Sequence, residues 1–382
     1  FWEMNLFFLT IFAIYGGMHV YAFFRARTAF WFGWGTGAFL AVLMLAMTFA
    51  PILIRTLERH DYELSARVLS YIAYLWMALL FLFFCSSIVL DLAGIIVRIA
   101  GWVTHADPAA FLIPAKTAFF ISTSLSLIIC VYGYFEALNI HTERIKIETT
   151  KLPAGTDRLT IVQISDVHLG LVVRCDRLVG ILEAVKAAKP DIFISTGDLV
   201  DAQINYLPGL RELLQEIKPR YGKFAVTGNH EYYAGLDQAI AFTKEAGFTL
   251  LRGEVVNTGV INIAGMDDPT GVQLHLEKPG SESALLANLP KDQFTLLLKH
   301  RPVVNPDGPK LFDLQLSGHT HKGQIFPFTY ISEIAYPLNT GRFDLSNGAL
   351  LHVSRGTGTW GPPIRFLSPP EVTVIELVRK TR

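Results

Sequence analysis

Long uninterrupted apolar runs dominate the first third of the chain. Four stretches contain no Asp, Glu, Lys or Arg: residues 6–24, 30–54, 68–90 and 117–135. About 20 apolar residues suffice for a helix to cross a bilayer. Four buried soluble helices in succession would leave little polar surface, and the first stretch has no small-residue cleavage site typical of a signal peptide. The pattern therefore predicts a four-helix transmembrane domain over residues 1–141.

From residue 142 onward, short apolar runs alternate with amphipathic segments. The β-rich runs predict strands at 159–165, 191–196 and 223–228. Apolar positions at helical spacing predict intervening helices at 177–190, 210–217 and 236–247. After residue 248 strands dominate. This order predicts an α/β domain over residues 142–382, whose sheet is built first from βαβ units and then from hairpins.

Composition separates the same two regions. Residues 1–141 contain only 14 Asp, Glu, Lys and Arg residues, and the formal net charge of the whole chain is zero. No broad electrostatic basis for nucleic-acid binding follows from that balance. Cys85 and Cys130 lie inside apolar stretches and Cys175 is alone in the second domain, so no disulfide framework is expected there. Composition does not indicate an oligomeric state.

Basic residues near the ends of the apolar stretches predict the orientation of the chain. Four spans would place the second domain on the side that carries Arg55, Arg59, Arg67, Arg144, Lys146 and Lys151. The opposite side carries Arg25, Arg27 and Arg98, together with Lys116 if it reaches the interface. Because positive charge favours the cytoplasmic side, we expect a multi-pass protein of the inner membrane with a cytoplasmic second domain.

Polar residues able to bind metal ions follow the ends of the predicted strands. Seven of them fit this description: Asp166, His168, Asp198, Asn229, His300, His319 and His321. Each motif alone is typical of an ordinary turn, but loops after the strands of an α/β sheet gather at one edge. Hydrolysis of a phosphate ester favours two divalent ions about 3.5–4 Å apart. The sequence therefore predicts a two-metal phosphoesterase site.

The motifs themselves resemble a known superfamily. D-x-H, G-D, G-N-H-E, a lone His and G-H-T-H occur in the order found in calcineurin-like metallophosphoesterases, across about residues 159–378. The segments SGHTHKGQI and SRGTGTWGPPIRFLSPPE resemble the membrane-associated bacterial branch. The resemblance implies a four-layer α/β/β/α sandwich for the second domain. It also shows a departure, because Lys322 stands where the family has a glycine.

The resemblance implies roles for individual residues. Ligands of the first ion would be Asp166, His168 and His321. Ligands of the second ion would be Asn229, His300 and His319, with Asp198 bridging the two ions. His230 resembles the catalytic histidine that contacts the phosphoryl group or protonates the leaving group. Ligation by His, Asp and Asn without thiolates suits Mn²⁺, the expected metal, with Fe²⁺ or Zn²⁺ as alternatives.

Further polar residues near these motifs have two interpretations. Arg301 and Arg365 are candidates to grip a substrate phosphate, or they form salt bridges. Glu231 is expected to orient the G-N-H loop. His19 lies inside an apolar stretch, where a polar residue is either functional or hydrogen-bonded within the helices. Three carboxylates could support the ligands or lie in solvated turns: Asp201, Asp267 and Asp268.

Together these features predict a membrane-anchored hydrolase of a phosphodiester, phosphomonoester or pyrophosphate bond, acting through attack by metal-held hydroxide. Four spans exceed what tethering needs, which favours a lipid or lipid-linked substrate. One alternative is a membrane sensor or scaffold whose phosphoesterase fold binds metal without turnover. Transport is disfavoured, because the spans contain few polar residues and no pair of broken helices.

Overall fold

The computed structural model describes residues 2–201, 209–276 and 280–380. They form two compact units, the first of which contains the residues up to 134 together with 361–363. Four long helices make up most of the first unit: α1 (Trp2–Phe30), α2 (Trp34–Arg59), α3 (Glu63–Thr104) and α4 (Ala115–Glu136). Three described segments are long and apolar enough to cross a membrane: Trp34–Arg59, Glu63–Thr104 and Ala109–Glu136. The expected first span falls on α1, several of whose side chains lie outside the described residues.

The helix α3 is much longer than the predicted span 68–90. Its 42 residues extend over roughly 63 Å at 1.5 Å per residue, about twice the thickness of a hydrocarbon core. His19 is buried among the helices, where its Nε2 accepts a hydrogen bond of 2.9 Å from Trp76 Nε1. Its Nδ1 lies 2.9 Å from the carbonyl oxygen of Tyr15. These contacts support the structural interpretation of His19.

Two six-stranded sheets form the centre of the second unit. The first sheet has the order β1-β12-β2-β3-β4-β5. Its strands are β1 (His141–Thr149), β2 (Arg158–Ile164), β3 (Ile192–Ser195), β4 (Lys223–Ala225), β5 (Thr249–Leu250) and β12 (Glu371–Arg379). The second sheet has the order β10-β11-β9-β8-β7-β6. Its strands are β6 (Glu254–Asn257), β7 (Asn262–Gly265), β8 (Thr295–Leu298), β9 (Leu314–Ser317), β10 (Gly341–Asp344) and β11 (Leu350–Val353).

Side chains alternate between the two faces of each strand, and both faces of the sheets are buried. Leu296 and Leu298 of β8 pack in one core with Ile161 of β2, so the two sheets face each other. Leu297 points the other way and packs against Leu286. Continuous apolar strands of this kind are typical of sheets covered on both sides.

Helices complete the outer layers. Those associated with the first sheet include α5 (Cys175–Ala187), α6 (Leu210–Gln215) and α8 (Leu236–Glu245). Shorter helices lie elsewhere in the unit: α7 (Asn229–Ala234), α9 (Thr270–Gln273), α10 (Glu282–Leu286) and α11 (Phe328–Ala335). The helix α5 buries Leu178, Ile181, Leu182 and Val185 along one face. The predicted four-layer α/β/β/α fold is confirmed.

The expectation of hairpins after residue 248 is wrong for most of the second sheet. In the described part of the second sheet, the pairs β7–β8, β8–β9 and β9–β11 are parallel, and the pairs β6–β7 and β10–β11 are antiparallel. Parallel neighbours require crossover connections, which contain the short helices that the sequence pattern did not reveal. The parallel strands bring the carboxyl ends of β2, β3, β4, β8 and β9 to the same rim, where the candidate site lies.

Candidate metal centre

Loops from both sheets place the seven predicted ligand residues together. Asp166 and His168 follow β2, Asp198 follows β3, and Asn229 begins α7 just after β4. The other three come from the second sheet, where His300 follows β8 and the pair His319 and His321 follows β9. All except His319 are buried, and His319 is half-buried. Residues far apart in sequence thus meet between the ends of two facing sheets.

We call Asp166, His168 and His321 the first ligand set. Their donor atoms converge: His168 Nε2 lies 3.0 Å from His321 Nε2, which lies 3.4 Å from Asp166 Oδ1. Two donors that each bind one ion at about 2.1 Å lie about 3–3.5 Å apart in common coordination geometries. The first ligand set therefore has the spacing of a metal-binding triad, and one ligand atom from each residue lies within 4.8 Å of the others.

We call Asn229, His300 and His319 the second ligand set. His319 Nδ1 lies 3.1 Å from His300 Nε2. Asp198 Oδ2 lies 3.1 Å from the same His300 nitrogen and 3.8 Å from His168 Nε2. One carboxylate oxygen therefore stands between the two ligand sets, which is the position required of a bridging ligand.

The residues present fit a pair of divalent ions. The Oδ1 atom of Asn229 is buried and has no hydrogen-bond partner within the described part of the chain. A buried amide oxygen without a partner is costly unless a cation or water binds it. The donor set combines imidazole, carboxylate and amide groups and contains no cysteine, which suits divalent ions such as Mn²⁺, Fe²⁺ or Zn²⁺.

Backbone strain is concentrated at the same residues. Five of the seven have positive φ: Asp166, His168, Asp198, His319 and His321, with values between 49° and 73°. Each non-glycine residue in this left-handed region costs about 1–3 kcal/mol and persists where the surrounding fold imposes it. The fold therefore holds these side chains in directions that relaxed turns would not give.

Two glycines allow the ligand loops to approach closely. A Cβ atom at Gly228 would overlap the carboxylate of Asp198, and one at Gly318 would overlap Ser165 and Asp166. The loops of G-N-H and G-H-T-H therefore require glycine at these positions for steric reasons. Lys322 has a φ of 50°, so its backbone adopts the left-handed conformation that the family glycine would adopt freely.

Glu231 fixes the loops that carry Asp198 and Asn229. Its buried carboxylate accepts hydrogen bonds from the backbone N–H groups of Gly228, Asp198, Leu199 and Val200 at 2.6–3.3 Å. One carboxylate thus satisfies four buried donors from two loops. This arrangement matches the orienting role expected from the sequence, and it directs Glu231 away from metal binding.

His230 lies beside the two ligand sets, and its ring contacts the carboxylate of Asp201. Its backbone N–H donates to Asp198 Oδ1 at 2.9 Å, and its Nδ1 lies 2.8 Å from Asp201 Oδ1. Burial lowers the pKa of His230, but the carboxylates of Asp198 and Asp201 outweigh burial and raise that pKa to about 9. Tyr233 and Trp360 flank the imidazole, with ring centroids 5.5 Å and 5.7 Å away.

Burial and charge set the protonation states of the histidine ligands. Burial lowers the pKa of His319 to about 3 and the pKa of His321 to about 4, so both are neutral near pH 7, the form that binds metal. For His300 the Asp198 carboxylate outweighs burial and raises the pKa to about 10. A bound cation would displace that proton and take its place beside Asp198.

The two arginines predicted to grip substrate occupy different surroundings. Arg365 is fully buried, and its guanidinium donates to the carbonyl oxygens of Arg355, Gly356 and Gly358 at 2.5–3.2 Å. Its Nη2 also lies 3.1 Å from His321 Nδ1. A guanidinium enclosed by carbonyl oxygens cannot reach a substrate phosphate, so Arg365 supports the ligand loops instead.

Arg301 is closer to solvent but already paired. Its Nε donates to Asp268 Oδ2 at 2.8 Å and its Nη2 donates to Thr270 Oγ1 at 2.9 Å. Its Nη1 lies 3.4 Å from the hydroxyl of Tyr336, which lies 3.0 Å from His319 Nε2. Substrate contact by Arg301 stays a prediction.

Two supporting residues were not assigned from the sequence. The sequence is consistent with either a supporting or a solvated role for Asp201, and only the folded loop brings it to His230. No local signal in the sequence connects Tyr336 with G-H-T-H. A tyrosine 15 residues after His321 becomes recognisable only through the path of α11.

Comparisons with known proteins agree with this geometry. The calcineurin-like phosphoesterase family matches residues 159–323. An uncharacterized metallophosphoesterase of Aquifex aeolicus is 40% identical over 258 residues, covering 67% of this chain and 98% of that protein. The metallophosphoesterase YkuE of Bacillus subtilis is 33% identical, over 64% of this chain and 89% of that protein.

Relatives with membrane segments are also found. A protein of Danio rerio named "Transmembrane protein with metallophosphoesterase domain" is 32% identical over 279 residues, covering 68% of this chain and 63% of that protein. The family match, residues 159–323, spans the loops that carry both ligand sets. The chain therefore belongs to the calcineurin-like metallophosphoesterases, a family of hydrolases that act on phosphoester bonds.

Proposed function

We propose that the protein is a membrane-anchored, two-metal phosphoesterase whose substrate is a lipid or lipid-linked phosphate. Its domains would be a four-helix transmembrane domain over residues 1–141 and a catalytic domain over residues 142–382. The observation that carries the catalytic part is the position of Asp198 Oδ2, 3.8 Å from His168 Nε2 and 3.1 Å from His300 Nε2. Those two nitrogens belong to different ligand sets.

The seven ligand residues would hold two metal ions. The first ligand set would bind one ion, the second ligand set the other, and Asp198 both. Bound divalent ions, with Mn²⁺ expected, supply the charge that activates water and neutralises a phosphoryl group. The shared carboxylate reduces repulsion between two cations, which supports one bridging acid over two separate ones.

His230 would donate a proton to the leaving group. The contact of its Nδ1 with Asp201 leaves Nε2 to face the substrate, and the carboxylate favours the protonated imidazole. An imidazolium in this position can hydrogen-bond a phosphoryl oxygen or give its Nε2 proton to the departing alkoxide. Asp201 is then a positioning residue that acts through His230.

Membrane attachment supports the lipid part of the proposal. The described helices alone provide three candidate spans, more than a tether needs. Tyr233 and Trp360 beside His230 are both about half exposed, so an apolar leaving group would meet aromatic rings next to the catalytic histidine. The excess of basic residues on one side supports a multi-pass inner-membrane protein with its catalytic domain in the cytoplasm.

The catalytic part is tested with Asp198→Asn in the full-length protein purified in detergent. We expect loss of bound metal and loss of Mn²⁺-dependent hydrolysis of bis-p-nitrophenyl phosphate. Asp307→Asn, the same chemical change at an exposed carboxylate, is the matched control and should keep both properties. Full activity in Asp198→Asn would refute the two-metal site. Metal bound by the unmodified protein without turnover of any phosphoester would instead favour the sensor or scaffold.

The substrate part is tested with a panel. Lipid pyrophosphates, glycerophosphodiesters and bis-p-nitrophenyl phosphate are compared side by side in the same detergent, with initial rates measured for each. We expect the highest kcat/KM on a lipid-linked compound. Hydrolysis of soluble diesters alone would refute the lipid assignment while leaving the metal centre intact.

A further inference from the structure

The helix α11 has an inverted distribution of polar and apolar residues. Its two buried positions are polar, since Thr329 and Ser332 are each only 8% exposed. Its outward positions are apolar: Phe328, Tyr330, Ile331 and Ile334 are between 44% and 83% exposed. The only charged residue of α11 is Glu333.

Other helices of the same unit show the ordinary arrangement. The helix α5 buries four aliphatic residues, while its polar residues Asp176, Lys186 and Glu183 lie away from the core. A helix in water normally buries its apolar stripe, and clustered large apolar side chains on a surface mark a contact with a partner or a membrane. The exposed face of α11 is therefore expected to contact an apolar surface.

Hydrogen bonds fix α11 to the loop that carries His319 and His321. Thr329 Oγ1 donates to the carbonyl oxygen of Lys322 at 2.9 Å. Ser332 Oγ donates to Asn339 Oδ1 at 2.9 Å, and the carbonyl oxygen of Asn339 accepts from Thr320 Oγ1 at 2.6 Å. The polar face of the helix is thus used to attach it to the metal-binding loop, and the apolar face is left outward.

We propose that the outward face of α11, formed by Phe328, Tyr330, Ile331 and Ile334, lies in the interfacial region of the lipid bilayer. The chain itself brings a bilayer within reach, because only residues 137–140 separate α4 from β1, a connection of at most about 14 Å. A surface helix with aromatic and aliphatic side chains on one face is typical of segments that lie in the plane of a membrane interface.

The chemistry of the face identifies the kind of contact. Within α11 there is no Lys or Arg, so attraction to anionic headgroups would contribute little and apolar insertion would dominate. Binding should therefore persist in neutral phosphatidylcholine and at high salt. Because α11 is hydrogen-bonded to the G-H-T-H loop, this contact would hold that loop close to the lipid headgroups.

This inference rests on the membrane attachment in the proposed function and is independent of catalysis. The test uses full-length protein in phosphatidylcholine liposomes, with Cys85 and Cys130 replaced by Ala and Cys175 replaced by Ser. Single cysteines are introduced as Ile334→Cys, Tyr330→Cys and Glu333→Cys, and each is spin-labelled. Val179→Cys on α5 is the matched control, since Val179 is also an exposed aliphatic residue of a helix in the second unit. Collision of each label with oxygen and with a water-soluble nickel chelate is measured by electron paramagnetic resonance.

We expect labels at 330 and 334 to favour oxygen over the nickel chelate, and the label at 179 to be fully accessible to the chelate. The label at 333 should be less immersed than the one at 334, following the helical period. Equal, water-like accessibility at 334 and 179 would overturn the proposal. So would spin–spin broadening at 334 that disappears on dilution with unlabelled protein, because a second copy of the chain would then cover the face. Since no readout depends on turnover, an inactive enzyme would leave this test valid.

Discussion

The two ligand sets are supported in different ways. All three residues of the first ligand set have positive φ, and the buried guanidinium of Arg365 binds the surrounding carbonyl oxygens. In the second ligand set only His319 has positive φ, and side chains contribute to its support, as with Tyr336 at His319 Nε2. The first set therefore depends on the path of the chain, which Arg365 fixes through backbone carbonyl oxygens, whereas in the second set a side chain contacts a ligand ring directly.

Substitution of Arg365 should produce the largest difference between the two ligand sets in metal binding. In Arg365→Met several buried carbonyl oxygens lose their donor, at a cost of about 1–3 kcal/mol for each oxygen left unsatisfied. We expect loss of the ion held by the first ligand set and a fall in activity of at least about 100-fold. Metal content and turnover are measured on the detergent-purified protein. Arg365→Lys, which keeps the charge but loses the planar fork, should lie between Met and the unmodified protein.

Asp201 contacts both the first ligand set and His230, the proposed catalytic histidine. Its Oδ1 lies 2.8 Å from His230 Nδ1 and 3.4 Å from His168 Nδ1. In Asp201→Asn we expect kcat to fall about 10- to 100-fold with little change in KM, because orientation and charge of His230 are lost. The alkaline limb of the kcat profile should move to lower pH, since the carboxylate raises the pKa of His230. An unchanged profile would show that Asp201 is merely structural.

A milder change is expected in the second ligand set. Tyr336→Phe removes the hydroxyl that lies 3.0 Å from His319 Nε2 and leaves the ring in place. Loss of one supporting hydrogen bond should weaken the affinity for the second ion about 10-fold, with the first ion unaffected. Calorimetric titration of the metal-stripped protein with Mn²⁺ resolves the two binding steps. Equal weakening of both steps would contradict the separation between the sets.

The smallest effect is expected for Lys223, which lies away from both ligand sets and affects the stability of the folded domain. Burial lowers the pKa of Lys223 to about 8, whereas the unfolded chain has the ordinary value near 10.5. Between these values the unfolded state binds more protons, so the stability of the folded domain rises with pH from about 8 to 10.5. We expect Tm to increase by a few degrees over this range and the increase to vanish in Lys223→Met. Thermal unfolding followed by intrinsic fluorescence measures it.

Sequence predicted those features that depend on local pattern. The seven ligand residues follow apolar strands directly, and strands that end at a common rim must bring such residues together. The apolar stretches likewise predicted long helices in the first unit. Their limits were less accurate, because apolar residues continue well past the bilayer length in α3.

Sequence did not predict features that depend on the fold or on the surroundings. The helix α11 has its apolar side outward, so the usual assignment of apolar residues to a core does not apply to it. The role of Arg365 depends on the loop 355–368 closing around it, and a basic residue in a Gly/Pro-rich loop is equally consistent with solvent exposure. The parallel pairing in the second sheet depends on crossover connections, whose helices are too short to be recognised from the sequence pattern.

Seven residues are proposed to hold two ions, both of which hydrolysis requires. The decisive experiment adds Mn²⁺ stepwise to the metal-stripped, full-length protein. Bound metal and hydrolysis of bis-p-nitrophenyl phosphate are measured on the same samples. We predict that activity rises as the second equivalent binds and is abolished again by a chelator. Full activity with one equivalent, or turnover that survives complete removal of metal, would contradict it.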